Sequence, residues 1–151
     1  MTATTFSALP AAPDMSLELA GRLLDGVRAE AADAGVDLAA VVVDRGGNLV
    51  AAARMDGSQL GAFSLANDKA YTAVAFGHPT GAWAESSTPG GSDWGLAGTL
   101  GGRAIVFAGG LPVYADGVLI GAVGASGAAS TVDAHCVRTA IAAAGLQSEH
   151  P

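Results

Sequence analysis

A chain of 151 residues has room for one domain with a sizeable core and too little for two. Half of its residues are hydrophobic but only 5% are aromatic, so that core must be assembled from small side chains. Seven Lys and Arg face fourteen Asp and Glu, a formal net charge of −7 with no basic cluster, which argues against nucleic acid as a partner.

Residues 1–13 are Thr, Ala and Pro without periodicity and read as a flexible N-terminal arm, with the domain expected over 14–147 and a polar tail at 148–151. The arm has neither a basic n-region nor an apolar run, so no secretory signal and a cytoplasmic address are expected. Glycine and charge interrupt every apolar run before the roughly 18 residues a membrane helix needs, so no membrane association is expected. Low charge density instead suggests that apolar surface is hidden in a homo-oligomer.

Ser16 is placed to cap a first helix reaching about Ala34, with Leu17, Ala20, Leu24, Val27 and Ala31 at helical spacing and Gly35 ending it. Leu38–Val43 reads as a buried strand, Asp44–Asn48 as a turn, and Leu49–Met55 as its antiparallel partner. A second helix spans about Leu60–Phe76. One of its stripes (Phe63, Ala66, Ala70, Ala73) suits packing on a sheet; the next mixes Leu65, Lys69, Thr72 and Phe76. Residues 77–102 are punctuated by Gly, Pro and Ser and hold both tryptophans, so this stretch is either a functional flap or contains a short helix. Three strands are then expected, Arg103–Ala108, Leu111–Tyr114 and Val118–Ala125, the last two joined by the hairpin signal Asp116-Gly117. A final helix runs from about Thr131 to Ala144. The expected fold is therefore a single α+β domain in the order α-β-β-α-loop-β-β-β-α, with a five-stranded, mainly antiparallel sheet packed by helices in a profilin- or PAS-like layering.

Lys69 is the only lysine, and its helix face leaves two readings open. It is a general acid or base or anion-binding charge if buried, or a surface side chain whose stem covers apolar neighbours if not. Thr72, one turn on, either donates to the same ligand or bonds back to the carbonyl four residues earlier. Asp133 closes the sequence S-T-V-D from Ser130, a capping-box pattern, yet it also stands at a helix N-terminus behind Gly124–Gly127 where backbone N–H groups can face an anion. His78 and His135 lack a partner at metal-ligand spacing, so no non-haem metal site is expected. A haem needs only one or two axial ligands, and His78, His135, Met55, Tyr71, Tyr114 and Cys136 are all of suitable type; spacing does not choose among them. His150 falls in the tail and is set aside. Cys136, the single cysteine, allows no intrachain disulfide and suits a small buried position.

Three segments, VVVDRGGNLVAAARMDG (41–57), NDKAYTAVAFGHPT (67–80) and AGGLPVYADGVLIGAVGASGAASTVD (108–133), together resemble the GlcG/HbpS-type haem-binding family, which also includes the C-terminal domain of PduO-type proteins. The resemblance covers about Ser16 to Gly145 and implies an α+β domain assembled into oligomers, from dimers up to octamers, in a family some of whose members bind haem. The matching positions are Arg54 and Met55, Lys69 and Thr72, Gly109, Gly110 and Pro112, and Asp133; the family implies no uniform axial ligand. Two departures stand out: the secreted haem-sensing branch carries a signal peptide, and the tryptophan-bearing loop is additional.

Three readings follow. The first is haem, or a small apolar or anionic ligand, in a cleft between the second helix and the glycine-rich hairpin, with Arg54, Met55, Lys69, Thr72, His78, Gly109, Gly110 and Pro112 as binding residues. The second is a small-molecule lyase, isomerase or hydrolase acting on a carbonyl or carboxylate compound, with Lys69 and Asp133 as its acid/base pair and Arg54 as anion clamp. The third is a structural oligomer whose glycines serve close packing.

Overall fold

A computed structural model describes residues 11–151; the first ten positions of the expected arm lie outside them. The Ser16 hydroxyl accepts the Leu19 N–H at 3.1 Å and so satisfies one of the orphan donors at the start of α1 (Leu17–Asp33). Strands β1 (Ala39–Asp44) and β2 (Leu49–Arg54) follow, then α2 (Ala62–Phe76), β3 (Gly110–Ala115), β4 (Val118–Ser126) and α3 (Ser130–Ala143). The Asp44 carboxylate shapes the first hairpin by accepting the N–H groups of Gly46 and Asn48, both at 2.9 Å. In the second, Asp116 and Gly117 both have positive φ (48° and 78°), the twist that a two-residue hairpin turn requires.

The sheet has the order β2-β1-β4-β3 and every pairing is antiparallel. Helices cover both faces. Because side chains alternate along a strand, Ala39, Val41 and Val43 of β1 meet Ala66, Ala70 and Ala73 of α2, whereas Ala40 and Val42 join Leu23, Val27, Val137 and Ile141 of α1 and α3. The two central strands are thus buried on both sides, which is why they read as nearly continuous apolar runs.

The small residues let α2 lie unusually close to the sheet. A Cβ at Gly124 would collide with the Ala66 carbonyl oxygen, and one at Gly110 with the Lys69 carbonyl oxygen. The glycines of β3 and β4 therefore face helix backbone, and this contact fixes the depth at which α2 sits.

The sheet has four strands, not the five expected. Arg103–Ala108 forms no ladder, although its composition is that of a strand. Its backbone groups are taken by threonine hydroxyls instead. The Thr72 hydroxyl accepts the Ile105 N–H (3.0 Å) and lies within donor distance of the Arg103 carbonyl (3.0 Å), while the Thr80 hydroxyl donates to the Phe107 carbonyl (2.7 Å). Side chains of α2 and of the following turn thus provide partners that a neighbouring strand would otherwise supply. The segment 77–102 is built of turns, including three 3₁₀ turns at Thr80–Trp83, Leu96–Gly98 and Leu100–Gly102. The residues beyond 146 do not hang free: Gln147 and Tyr114 exchange two backbone hydrogen bonds, at 2.8 and 3.1 Å, on the outer edge of β3.

Candidate functional site

Lys69 projects from α2 into the layer between that helix, the start of β3 and the N-terminus of α3. Its ammonium donates to the Ala125 carbonyl at 2.9 Å and to Asp133 Oδ2 at 3.0 Å, and both side chains are 1% exposed. The surface reading of Lys69 is thereby excluded. Phe107 adds a ring whose centroid is 5.3 Å from Nζ. The other Asp133 oxygen accepts the Ala128 N–H at 3.1 Å, so this carboxylate ties down the chain entering α3 while it pairs with the lysine. Ala129, not Ser130, is the N-cap, and no side chain caps the helix there. The S-T-V-D sequence is therefore not a capping box: Ser130 is already inside the helix, and Asp133 reaches back beyond the cap residue.

Burial pushes the Lys69 ammonium below its ordinary pKa and the Asp133 carboxyl above its own, while each partner's charge opposes the shift in the other. Both displacements narrow the gap between the ion pair and its neutral form, in which the proton has crossed from Nζ to Oδ2. The arrangement can hold a proton in either place, provided that something reaches it.

A cavity of about 490 Å³, open to solvent, adjoins the pair without touching it. Its walls are the exit of α2 and the first 3₁₀ turn (His78, Gly81), the backbone of Ala108–Leu111, Ala134 and Arg138 of α3, and Glu149 with His150. Gly109 forms the partition. Its φ is +131°, and a Cβ there would come within 2.5 Å of Lys69 Nζ and 2.8 Å of the Ala125 oxygen, so the partition is one backbone thick and only glycine fits it.

The expected site residues divide into four groups. His78, Gly109 and Gly110 line the cavity. Lys69 and Asp133 lie behind its floor, joined to each other. Thr72 and Pro112 are buried away from it: the Thr72 hydroxyl is engaged with Asp68, Arg103 and Ile105, and Pro112 sits in β3 opposite Ala122. Arg54 and Met55 belong elsewhere, in a depression shared with Arg28, Asp37 and Asp56 beside β2, the sheet edge opposite β3. The fold thus does not bring Arg54 to Lys69.

Among the residues of axial-ligand type, Tyr114 donates its hydroxyl to the Gly77 carbonyl (2.6 Å), Tyr71 lies under the Arg103 guanidinium (3.8 Å to the ring), Cys136 is wholly buried, and His135 stands 3.9 Å from Glu30. His78 alone of that set borders the cavity. Its ring lies 4.5 Å from Trp83, which in turn packs edge-on against Phe76 at 5.3 Å. The loop tryptophan Trp83 therefore supports the histidine. Arg138 and Glu149 carry no signal in the sequence, and His150, set aside there as part of the tail, lines the cavity with them. Arg138 falls one turn after Ala134 on the same face of α3, a spacing visible in the sequence once the cavity side of the helix is known. The other two depend on the Gln147–Tyr114 pairing, which no local pattern announces. Among the described residues there is no group of three or more His, Cys, Asp or Glu able to hold a metal ion, and no helix is long and apolar enough to cross a membrane.

A family model described as haem degrading protein HbpS-like matches residues 15–142. A 15.0 kDa protein of Citrobacter freundii, from the dhaT-dhaS intergenic region, is 35% identical over 127 residues, 84% of this chain and 89% of that protein. The corrinoid adenosyltransferase PduO of Salmonella typhimurium is 37% identical over 102 residues, 68% of this chain but only 30% of PduO. Among solved structures, a complex of PduOC with haem superposes with a TM-score of 0.86 at 31% identity, covering 90% of this chain and 99% of that one.

Proposed function

The chain belongs to the HbpS-like family, and on that premise we propose that it binds haem in the cavity between the α2 exit, the start of β3 and α3. The observation that carries this reading is the cavity itself: backbone and apolar surface on most sides, the His78 imidazole on one wall and the Arg138 guanidinium on another. These residues fit the group. The flat apolar macrocycle suits a floor of glycine and alanine, His78 supplies a nitrogen donor, and Arg138, which among the described residues makes no ion pair, supplies a charge for a propionate. The haem complex of the relative PduOC supports haem as the ligand. Lys69 and Asp133 act here as positioning residues, holding Gly109 and the start of α3 in place beneath the ligand.

Titrating the purified chain with ferric haemin tests the proposal. A Soret shift saturating at one haem per chain is expected, with weaker binding in His78→Ala. No shift and no retained haem after gel filtration overturns it.

The acid/base reading of Lys69 and Asp133 has less support, because a substrate in the cavity meets Gly109 before it meets either side chain. We also propose a homo-oligomer, since Leu17, Leu60 and Trp94 are 69%, 91% and 65% exposed in the single chain. Light scattering at the mass of one chain would rule that out. The single cysteine, buried and unpaired, is in keeping with a cytoplasmic location.

A further inference from the structure

Lys69 is the one ε-amine of the chain, and it lies directly behind a cavity large enough for a small metabolite. Gly109 is what separates them: a Cβ on that residue would stand 2.5 Å from Lys69 Nζ. This partition is pinned at its ends and loose in the middle. The Thr80 hydroxyl donates to the Phe107 carbonyl at 2.7 Å and accepts the Gly110 N–H at 3.0 Å. Between those two grips one backbone hydrogen bond holds the chain, from the Ala125 N–H to the Gly109 carbonyl at 2.9 Å. Among the described residues no acceptor meets the N–H of Ala108 or of Gly109. Turning the Gly109 peptide aside therefore breaks a single hydrogen bond, and a residue without Cβ takes either sign of φ as it turns.

With Gly109 aside, the Lys69 amine is the nucleophile that a ligand in the cavity meets. Asp133 Oδ2, 3.0 Å from Nζ, is in place to exchange protons with it. Burial of both side chains favours the neutral form of the pair, in which the nitrogen lone pair is free to attack a carbonyl carbon. Arg138 lines the same cavity and makes no ion pair among the described residues, which leaves its guanidinium for a carboxylate.

We propose that Lys69, gated by Gly109, forms an imine with a short aldehyde that carries a carboxylate. Asp133 first takes a proton from Nζ. The nitrogen lone pair attacks the carbonyl carbon, and the carbonyl oxygen takes the proton that Asp133 holds. The nitrogen of the adduct returns a proton to Asp133, which passes it to the new hydroxyl as the C–O bond breaks and water leaves. The nitrogen lone pair closes the C=N bond, and Asp133 ends as a carboxylate beside a protonated imine. One ammonium and one aldehyde thus become one iminium and one water, so the layer holds one positive and one negative charge before and after. That conservation matters for two side chains at 1% exposure, where an unpaired charge is costly. The site shares its opening with the haem reading and does not depend on it.

The test incubates the purified full chain with succinic semialdehyde and sodium cyanoborohydride, which delivers hydride to an iminium and fixes it as a secondary amine. Intact mass and peptide mapping read the site. With one lysine in the sequence, the α-amine is the other position that can be labelled, and it serves as the standard for an exposed amine. Lys69 is expected to be labelled at a rate that saturates with aldehyde concentration. Butanal, of the same chain length without the carboxylate, is expected to label it about tenfold more slowly, and so is succinic semialdehyde with Arg138→Ala, whose fold is checked by circular dichroism. Label confined to the α-amine overturns the proposal. Label that reaches Lys69 equally with both aldehydes, or equally in Arg138→Ala, overturns it as well, because entry by general unfolding of the chain needs no guanidinium.

Discussion

Replacing Asp133 with asparagine removes one charge from the buried pair and little else. The new side chain keeps an oxygen for the Ala128 N–H, now 3.1 Å from Asp133 Oδ1, but presents an amide donor where Lys69 Nζ donates at 3.0 Å. With both side chains 1% exposed, the ammonium is left without a counter-charge and without water. It must either stay charged at that cost or give up its proton. Breaking a buried pair from one side costs about 3–5 kcal/mol. For a domain of this size that corresponds to a fall in Tm of about 6–20 °C. Urea denaturation followed by circular dichroism measures the loss as a lower midpoint at unchanged slope. The double variant Lys69→Met/Asp133→Asn removes the stranded charge and should regain most of the loss, since an apolar replacement for a buried ion pair is often neutral in stability. A single variant within about 1 kcal/mol of wild type, or a double variant as unstable as the single, would refute the claim that the two charges are closed off from solvent and depend on each other.

The same pair sets a pH signature. The folded-state pKa of Asp133 is raised above its ordinary 3.8, so the folded protein holds a proton that the unfolded chain has lost; its contribution to stability is present at lower pH and is lost as pH rises through that raised value. The folded-state pKa of Lys69 is lowered from 10.5, so the unfolded chain binds more protons in the window below 10.5 and stability there climbs with pH. Wild-type stability minus that of the double variant should thus pass through a minimum between the two windows; a flat difference from pH 4 to 10 contradicts the shifts. Gly124→Ala places a methyl against the backbone of Ala66 and Ala70 and should lower stability by about 1–3 kcal/mol or more in a thermal melt. Gly21→Ala, on α1 with nothing within 4 Å of the new Cβ, should raise it by about 0.5–1 kcal/mol. Equal effects at the two glycines would disprove that α2 rests on the sheet backbone.

Elements whose signals are local were legible in the order of residues. The Ser16 cap, the apolar repeat of α1, the Asp44 and Asp116-Gly117 turns, and the continuous apolar run of β1 each depend on residues a few positions apart, and all are present in the fold. The position of Lys69 among large apolar neighbours marks it for attention in the same way, and Asp133 stands beside it in the acid/base reading, but not as the partner of a closed, buried ion pair. Ion pairing with Asp133 spans 64 positions, and no periodicity encodes a contact of that range. Three features arise only from long-range packing. Threonine hydroxyls on α2 and the turn after it took the backbone groups of Arg103–Ala108 and so prevented a fifth strand. The sheet order sent Arg54 to the edge opposite β3. The pairing of Gln147 with Tyr114 carried His150 from the tail to the wall of the cavity. In each case the deciding contact joins positions far apart in sequence, and local pattern cannot say which distant group will be there to meet it.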